Sequence, residues 1–214
     1  MSRPGAGRSQ RAALSAAALA VVSALVLVGC SGEQAITVRP PDVSVDTPAL
    51  REVKARIGME DCTPGTGTAV EGGLPKLTLP CLGGGPDVDL ASLRGPLVIN
   101  LWQARCEPCR LEMPVLEEFH QRHGDRVAML GIDFNDVHPD GALALAEETG
   151  ATYPSIADPG GELMAQDAFA IGRRGLPAFL FVDAEGRVVG QASGGVESLA
   201  EVEDLVADHL GITL

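Results

Sequence analysis

Apolar positions along the chain fall into sharply bounded blocks. From Pro96 to Trp102 the run Pro-Leu-Val-Ile-Asn-Leu-Trp is almost unbroken, the pattern of a strand buried on both faces. Leu111, Val115 and Phe119 then recur at four-residue spacing and Gly124 ends the series, which predicts a helix with Pro114 kinking its middle. Arg126 to Asp133 repeats the strand pattern, and Pro139 to Thr149 reads as a second helix stopped at Gly150. Such a β-α-β unit closes with a right-handed crossover and parallel strands. Downstream the punctuation changes. A short helix near Glu162 to Phe169 leads to Gly175-Leu176-Pro177, a strand from Ala178 to Val182, a turn over Asp183 to Gly186 and an antiparallel partner from Arg187 to Gln191. The last helix runs from Leu199 to Leu210 with Leu199, Val202, Leu205, Val206 and Leu210 on one face. Ser198 with Glu201 reads as its capping box and Gly211 as its stop.

Before this block the pattern weakens. Leu74 to Leu79 and Val88 to Leu93 read as a hairpin turning at Gly83-Gly84-Gly85-Pro86, and no Gly-Lys-Ser or Gly-Lys-Thr follows to make the glycines a phosphate loop. Ser31 to about Gly58, with Pro40, Pro41 and Pro48, reads as a spacer holding short ordered pieces at most. At the start, Arg3, Arg8 and Arg11 precede an uncharged apolar run from Ala12 to Val28, the layout of an export signal. The run ends in Leu27-Val28-Gly29-Cys30, which resembles a bacterial lipobox, so Cys30 is expected to become the lipidated first residue. The alternative is an uncleaved anchor, for which the run is just long enough. The expected organisation is a signal peptide over 1–29, a lipid-anchored tether over 30–58, a disulfide-stapled extension with a hairpin over 59–95, and an α/β domain over 96–214.

Charge narrows the function classes. The chain carries 16 Lys and Arg against 29 Asp and Glu, and loss of residues 1–29, with three arginines and no acid, takes the formal net charge from -13 to -16. A broad grip on nucleic acid or anionic lipid needs clustered cations that this chain lacks. Aromatic residues, at 3%, are too few for base-stacking platforms.

With Cys30 assigned to lipid, Cys62, Cys81, Cys106 and Cys109 remain, an even set in a compartment that permits disulfides. The economical pairing joins Cys62 to Cys81 as a structural bridge and leaves Cys106 and Cys109 as a local C-x-x-C couple. A site holding metal on all four thiols is disfavoured because Cys62 and Cys81 form no knuckle. His120 and His123 lack a third ligand at matching spacing. No metal and no cofactor are expected beyond the redox-active disulfide itself.

Asn100-Leu-Trp-Gln-Ala-Arg-Cys-Glu-Pro-Cys-Arg-Leu-Glu-Met-Pro114, with Leu176-Pro177 and the Asp183 to Gly186 turn, resembles the TlpA/ResA-like thiol-disulfide oxidoreductases, which are membrane-tethered and extracytoplasmic. The resemblance covers about Leu74 to Leu210 and implies a thioredoxin fold: β-α-β then β-β-α around a mixed central sheet, here with an N-terminal hairpin extension. It departs at Arg105, where the family usually has Trp immediately before the first active cysteine; the sole Trp, Trp102, lies further back.

Position then suggests roles. Cys106, at a helix N-terminus where unpaired N–H groups favour a thiolate, is the expected nucleophile, with Arg105 lowering its pKa further and Glu107 opposing that effect. Cys109 is the expected resolving thiol. The resemblance implies that Glu112 tunes the thiols and relays a proton, that Pro177 is a cis-proline facing the disulfide, and that Leu176 offers its backbone to a substrate strand. Trp102 and Arg105 are further candidate substrate contacts, and Arg173 and Arg174 lie on the proline's loop. The resemblance also implies disulfide-bearing exported proteins as substrates, often in cytochrome c maturation, and a membrane thiol-reducing protein as electron donor. Two rivals stand beside this reading. A thiol peroxidase would carry Pro and Thr where Gln103-Ala104-Arg105 stand, and a non-catalytic binding lipoprotein would keep Cys106 inert.

Overall fold

The computed structural model describes residues 43–214. The expected signal segment, Cys30 and the first part of the expected tether lie outside the described residues. The first element is a helix, α1 (Pro48–Ile57), within the stretch expected as spacer. Thr47 caps it by accepting the Leu50 N–H at 3.3 Å, Pro48 occupies the first turn, and Gly58 ends it in the left-handed conformation (φ 74°). Leu50 and Lys54 are its buried residues, and Leu50 joins Val45 and Met59 in the main core.

The hairpin is present but short. β1 (Thr78–Leu79) pairs antiparallel with β2 (Val88–Asp89), after which Asp89 caps a 3₁₀ turn over Leu90–Ser92 through the Ala91 N–H. That side-chain cap draws the backbone out of the ladder, which is why Leu90 to Leu93 do not continue the strand.

The main sheet has five strands in the order β5-β4-β3-β6-β7. β3 (Leu97–Trp102) is central and every residue in it is buried. It pairs parallel with β4 (Ala128–Phe134) and antiparallel with β6 (Ala178–Val182). β7 (Val188–Ser193) adds antiparallel to β6, and β5 (Ser155–Asp158), which periodicity does not predict, adds parallel to β4. The helices α2 (Glu107–His123), α3 (Pro139–Thr149) and α4 (Leu199–Leu210) run close to their expected bounds. The expected helix near 162–169 is two 3₁₀ turns, Glu162–Ala165 and Asp167–Phe169. Ser198 accepts the Glu201 N–H as expected, while the Glu201 carboxylate takes the N–H of Glu197 rather than that of the cap residue.

The two faces of the sheet are covered differently. Val98, Trp102, Met129, Phe179 and Phe181 pack with Met113, Leu116 and Phe119 of α2 and with Val202 and Val206 of α4. Ile99, Leu101, Ile132, Phe134 and Leu180 pack with Leu79, Val88, Leu90, Leu163 and Phe169. The hairpin segment therefore builds the second core rather than hanging beside it. Cys62 is bonded to Cys81, and Cys81 also bridges to Ile156 on β5. Lys54 fastens α1 to this staple: its buried ammonium donates to Gly84 O at 2.6 Å, to Asp61 Oδ1 at 2.9 Å and to Cys81 Sγ at 3.3 Å.

One expected face is rotated. Leu111 is 69% exposed, and the buried face of α2 is Cys109, Glu112, Met113, Leu116, Phe119 and His123. Packing of Cys109, Met113, Leu116 and Phe119 into the core turns the polar Glu112 inside, where Asn100 meets it, and leaves the apolar Leu111 out. The order β-α-β-α-β then β-β-α around a mixed sheet is that of the thioredoxin fold.

Candidate active site

β3 delivers the chain to the C-terminal edge of the sheet, and four residues later α2 begins. The loop between is braced from β4. Gln103 Nε2 donates to Phe134 O at 2.7 Å, and Asp136 Oδ2 accepts the Ala104 N–H at 2.9 Å. Cys106 is the N-cap of α2, half-buried, and its Sγ accepts the Cys109 N–H at 3.3 Å. Cys109 is fully buried, and the two sulfurs are bonded. One sulfur therefore faces outward at a helix N-terminus, where N–H dipoles favour negative charge, while its partner is shielded.

Cys106 lines a groove of about 460 Å³ together with Gln103, Arg105, Glu107, Phe134, Met164, Arg173, Arg174 and Leu176. The Leu176–Pro177 peptide bond is cis and Pro177 is buried. The structure thus brings Arg105, Cys106 and Leu176 to one groove. Arg173 is held on it by Met164 O and Gln166 O at 2.9 and 3.2 Å. Trp102, expected as a substrate contact, is instead fully buried in the core on the sheet's helix-covered face and offers a substrate no surface.

Glu112 has no exposed surface. Its Oε1 accepts from Asn100 Nδ2 at 2.8 Å, and its Oε2 has no hydrogen-bond partner. Burial pushes the carboxyl up from its ordinary 4.5 to about 8, with the Asn100 hydrogen bond offsetting only part of that. Asn100 was missed as a partner, although one polar residue in an otherwise apolar strand is a readable signal. Behind the carboxyl stands Gly195, itself exposed; a Cβ there would lie 3.6 Å from Glu112 Oε2 and 3.7 Å from Pro177 Cγ. A separate cleft of about 260 Å³ passes over this glycine, lined by Gly194, Gly195, Val196 and the carboxylates Glu201, Asp204 and Asp208. Asp133, on the same sheet face as Trp102, is also buried without a partner for either oxygen. Burial first, then the neighbouring Asp136 and Asp158, hold it protonated well above the usual carboxylate range. His120 and His123 bind Glu60 and Glu203 at 3.0 and 2.9 Å.

Comparison with known proteins places this geometry. A family model described as "AhpC/TSA family" matches residues 70–191, more than half of the chain. The chain belongs to the AhpC/TSA family. Within it, the chain is similar to the thiol:disulfide interchange protein DsbE of Pseudomonas fluorescens biotype C, 29% identical over 136 residues, covering 63% of this chain and 72% of that one. It is similar to the thiol:disulfide interchange protein HelX of Rhodobacter capsulatus, 33% identical over 109 residues, covering 50% and 57%. The chain thus spans little more than half to about three quarters of these curated relatives. Among solved structures it is similar to a putative protein disulfide isomerase from Bacteroides thetaiotaomicron, at 29% identity and TM-score 0.52, covering 69% of this chain and 95% of that one. The relatives that this AhpC/TSA family member matches are named as thiol:disulfide interchange proteins, and its fold is thioredoxin-like.

Proposed function

We propose that Cys106 and Cys109 are the redox couple of an extracytoplasmic enzyme that reduces disulfides of exported proteins. The chain is a thiol-disulfide oxidoreductase, and the observation that carries the proposal is the asymmetry of the pair: a half-exposed sulfur capping α2 and a fully buried one behind it. In the reduced protein the Cys106 thiolate attacks a substrate disulfide, and one substrate thiolate leaves. Cys109, deprotonated, then attacks the Cys106 sulfur and releases the second substrate thiolate. Two electrons pass from the protein dithiol to the substrate, which takes up two protons, and the protein ends as the disulfide. Where it is ionised, above about pH 8, the Glu112 carboxylate serves as the proton acceptor within the core, acting through Cys109. The backbone N–H and C=O of Leu176 make no backbone hydrogen bond among the described residues and are offered to an extended substrate strand.

Lipidation at Cys30 would hold the domain at the outer face of the cytoplasmic membrane, near a membrane thiol-reducing protein that restores the dithiol. Apocytochrome c is the proposed substrate class by likeness to the TlpA/ResA-like proteins. Among the described residues no helix is long and apolar enough to cross a membrane.

The test is trapping. Cys109→Ser should accumulate mixed disulfides through Cys106 with oxidised protein substrates, and Cys106→Ser should accumulate none. Absence of adducts with Cys109→Ser would refute the assignment. Titration of the couple fixes direction: a potential near about -250 mV supports a reductant and one near about -120 mV an oxidant.

A further inference from the structure

We infer that the groove beside Cys106 selects disulfides whose cysteine is flanked by acidic residues, which rests on the oxidoreductase reading above. In a chain with 29 acidic side chains against 16 basic ones, an unclaimed guanidinium is uncommon. Among the described residues Arg51, Arg56, Arg110, Arg122 and Arg187 each hold a carboxylate, and Arg94, Arg126 and Arg173 hold backbone carbonyls. Arg105 and Arg174 do neither, and both are exposed on the groove that contains Cys106.

Arg173 adds a third positive charge, fixed in place by its two carbonyl partners. The carboxylate lining the groove is that of Glu107, and Arg110 engages it at 3.3 Å. Cations thus converge on the one sulfur a substrate can reach, while the body of the protein is acidic. An acidic segment meets a protein of net negative charge, and here it finds guanidinium groups whose forked N–H donors fit carboxylates in pairs. Phe134, Met164 and Leu176 supply apolar contact between the charges. The occupant is therefore an extended segment of a partner protein with Asp or Glu beside its oxidised cysteine.

The test uses the pre-reduced full chain and three peptide disulfides that differ only in the residues flanking cysteine: Asp, Ser or Lys. Second-order rate constants for thiol release should be about tenfold higher for the Asp-flanked peptide than for the Lys-flanked one at low ionic strength, converging as added salt screens the charges. Arg174→Glu should collapse or invert that ratio. The ratio is read rather than the rate, because a change in Cys106 reactivity affects all three peptides alike. Equal rates at low salt, or a preference for Lys, overturn the inference and leave the oxidoreductase reading standing. Reduction of none of the three overturns both.

Discussion

Replacing Glu112 by Gln deletes the buried ionisable group while keeping the side chain's shape and an acceptor for Asn100. The unfolded chain ionises Glu112 above 4.5, whereas the folded protein holds its proton up to about 8. For an acid raised on folding, the stabilisation is complete below the lower value and is lost as pH rises to the upper one. At about 1.4 kcal/mol per pH unit, the interval from 4.5 to about 8 amounts to at most about 5 kcal/mol. The variant has no such loss, but its amide buries two unpartnered N–H donors where the protonated carboxyl buries one O–H, a pH-independent cost of about 1–3 kcal/mol. Glu112→Gln should therefore be the less stable protein at pH 5 and the more stable one at pH 8.5. Urea unfolding of both oxidised proteins from pH 5 to 9 checks this. Asp133 and Asp158, also raised by burial, are present in both and cancel in the difference. A stability difference that stays constant across the range would show that the folded protein does not hold a proton on Glu112.

Three other changes have defined outcomes. Cys62→Ala with Cys81→Ala opens a bridge spanning 19 positions and should cost about 3 kcal/mol in urea unfolding, with the Cys106–Cys109 potential unmoved. Lys54→Met strands the Gly84 carbonyl, at about 1–3 kcal/mol, and should raise amide exchange across residues 48–57 above that of the sheet. Gly131→Ala places a methyl against Ser155 Oγ, with Trp102 Nε1 at 2.8 Å and Tyr153 Cε2 at 3.1 Å, and should lower the urea midpoint by the equivalent of about 1–3 kcal/mol.

The elements that could be read from sequence are those with chemical punctuation at both ends. α3 is framed by Pro139 and Gly150, α4 by Ser198 and Gly211, and β6 is an apolar block between Pro177 and Asp183. β5 escaped because Ser155 and Asp158 bracket only two apolar residues, and its burial comes from neighbours distant in sequence. α1 had its signals in Thr47, Pro48 and Gly58, yet Leu50, Val53 and Ile57 are too sparse for the eye when prolines surround them. Local order placed Cys106, Cys109 and Glu112, since all three lie within one stretch of α2 and its cap. Trp102 was misjudged because strand alternation, not nearness to Cys106, decides which side of the sheet it faces. The meeting of Arg105 with Arg173 and Arg174 depends on the fold bringing the β6 approach beside the α2 start, which spacing alone does not encode.

Glu112 is insulated by a wall one glycine thick. Gly195 is itself exposed and has no side chain to place between the carboxyl and solvent. The cleft on that side is ringed by Glu201, Asp204 and Asp208, whereas the groove at Cys106 is ringed by arginines. The domain thus has two clefts of opposite charge that share no lining residue, one beside Cys106 and one over Gly195. A partner seated over the sulfurs plugs the cationic port and leaves the acidic one open. Electrons can then cross a crowded protein–protein contact while the proton departs by the back.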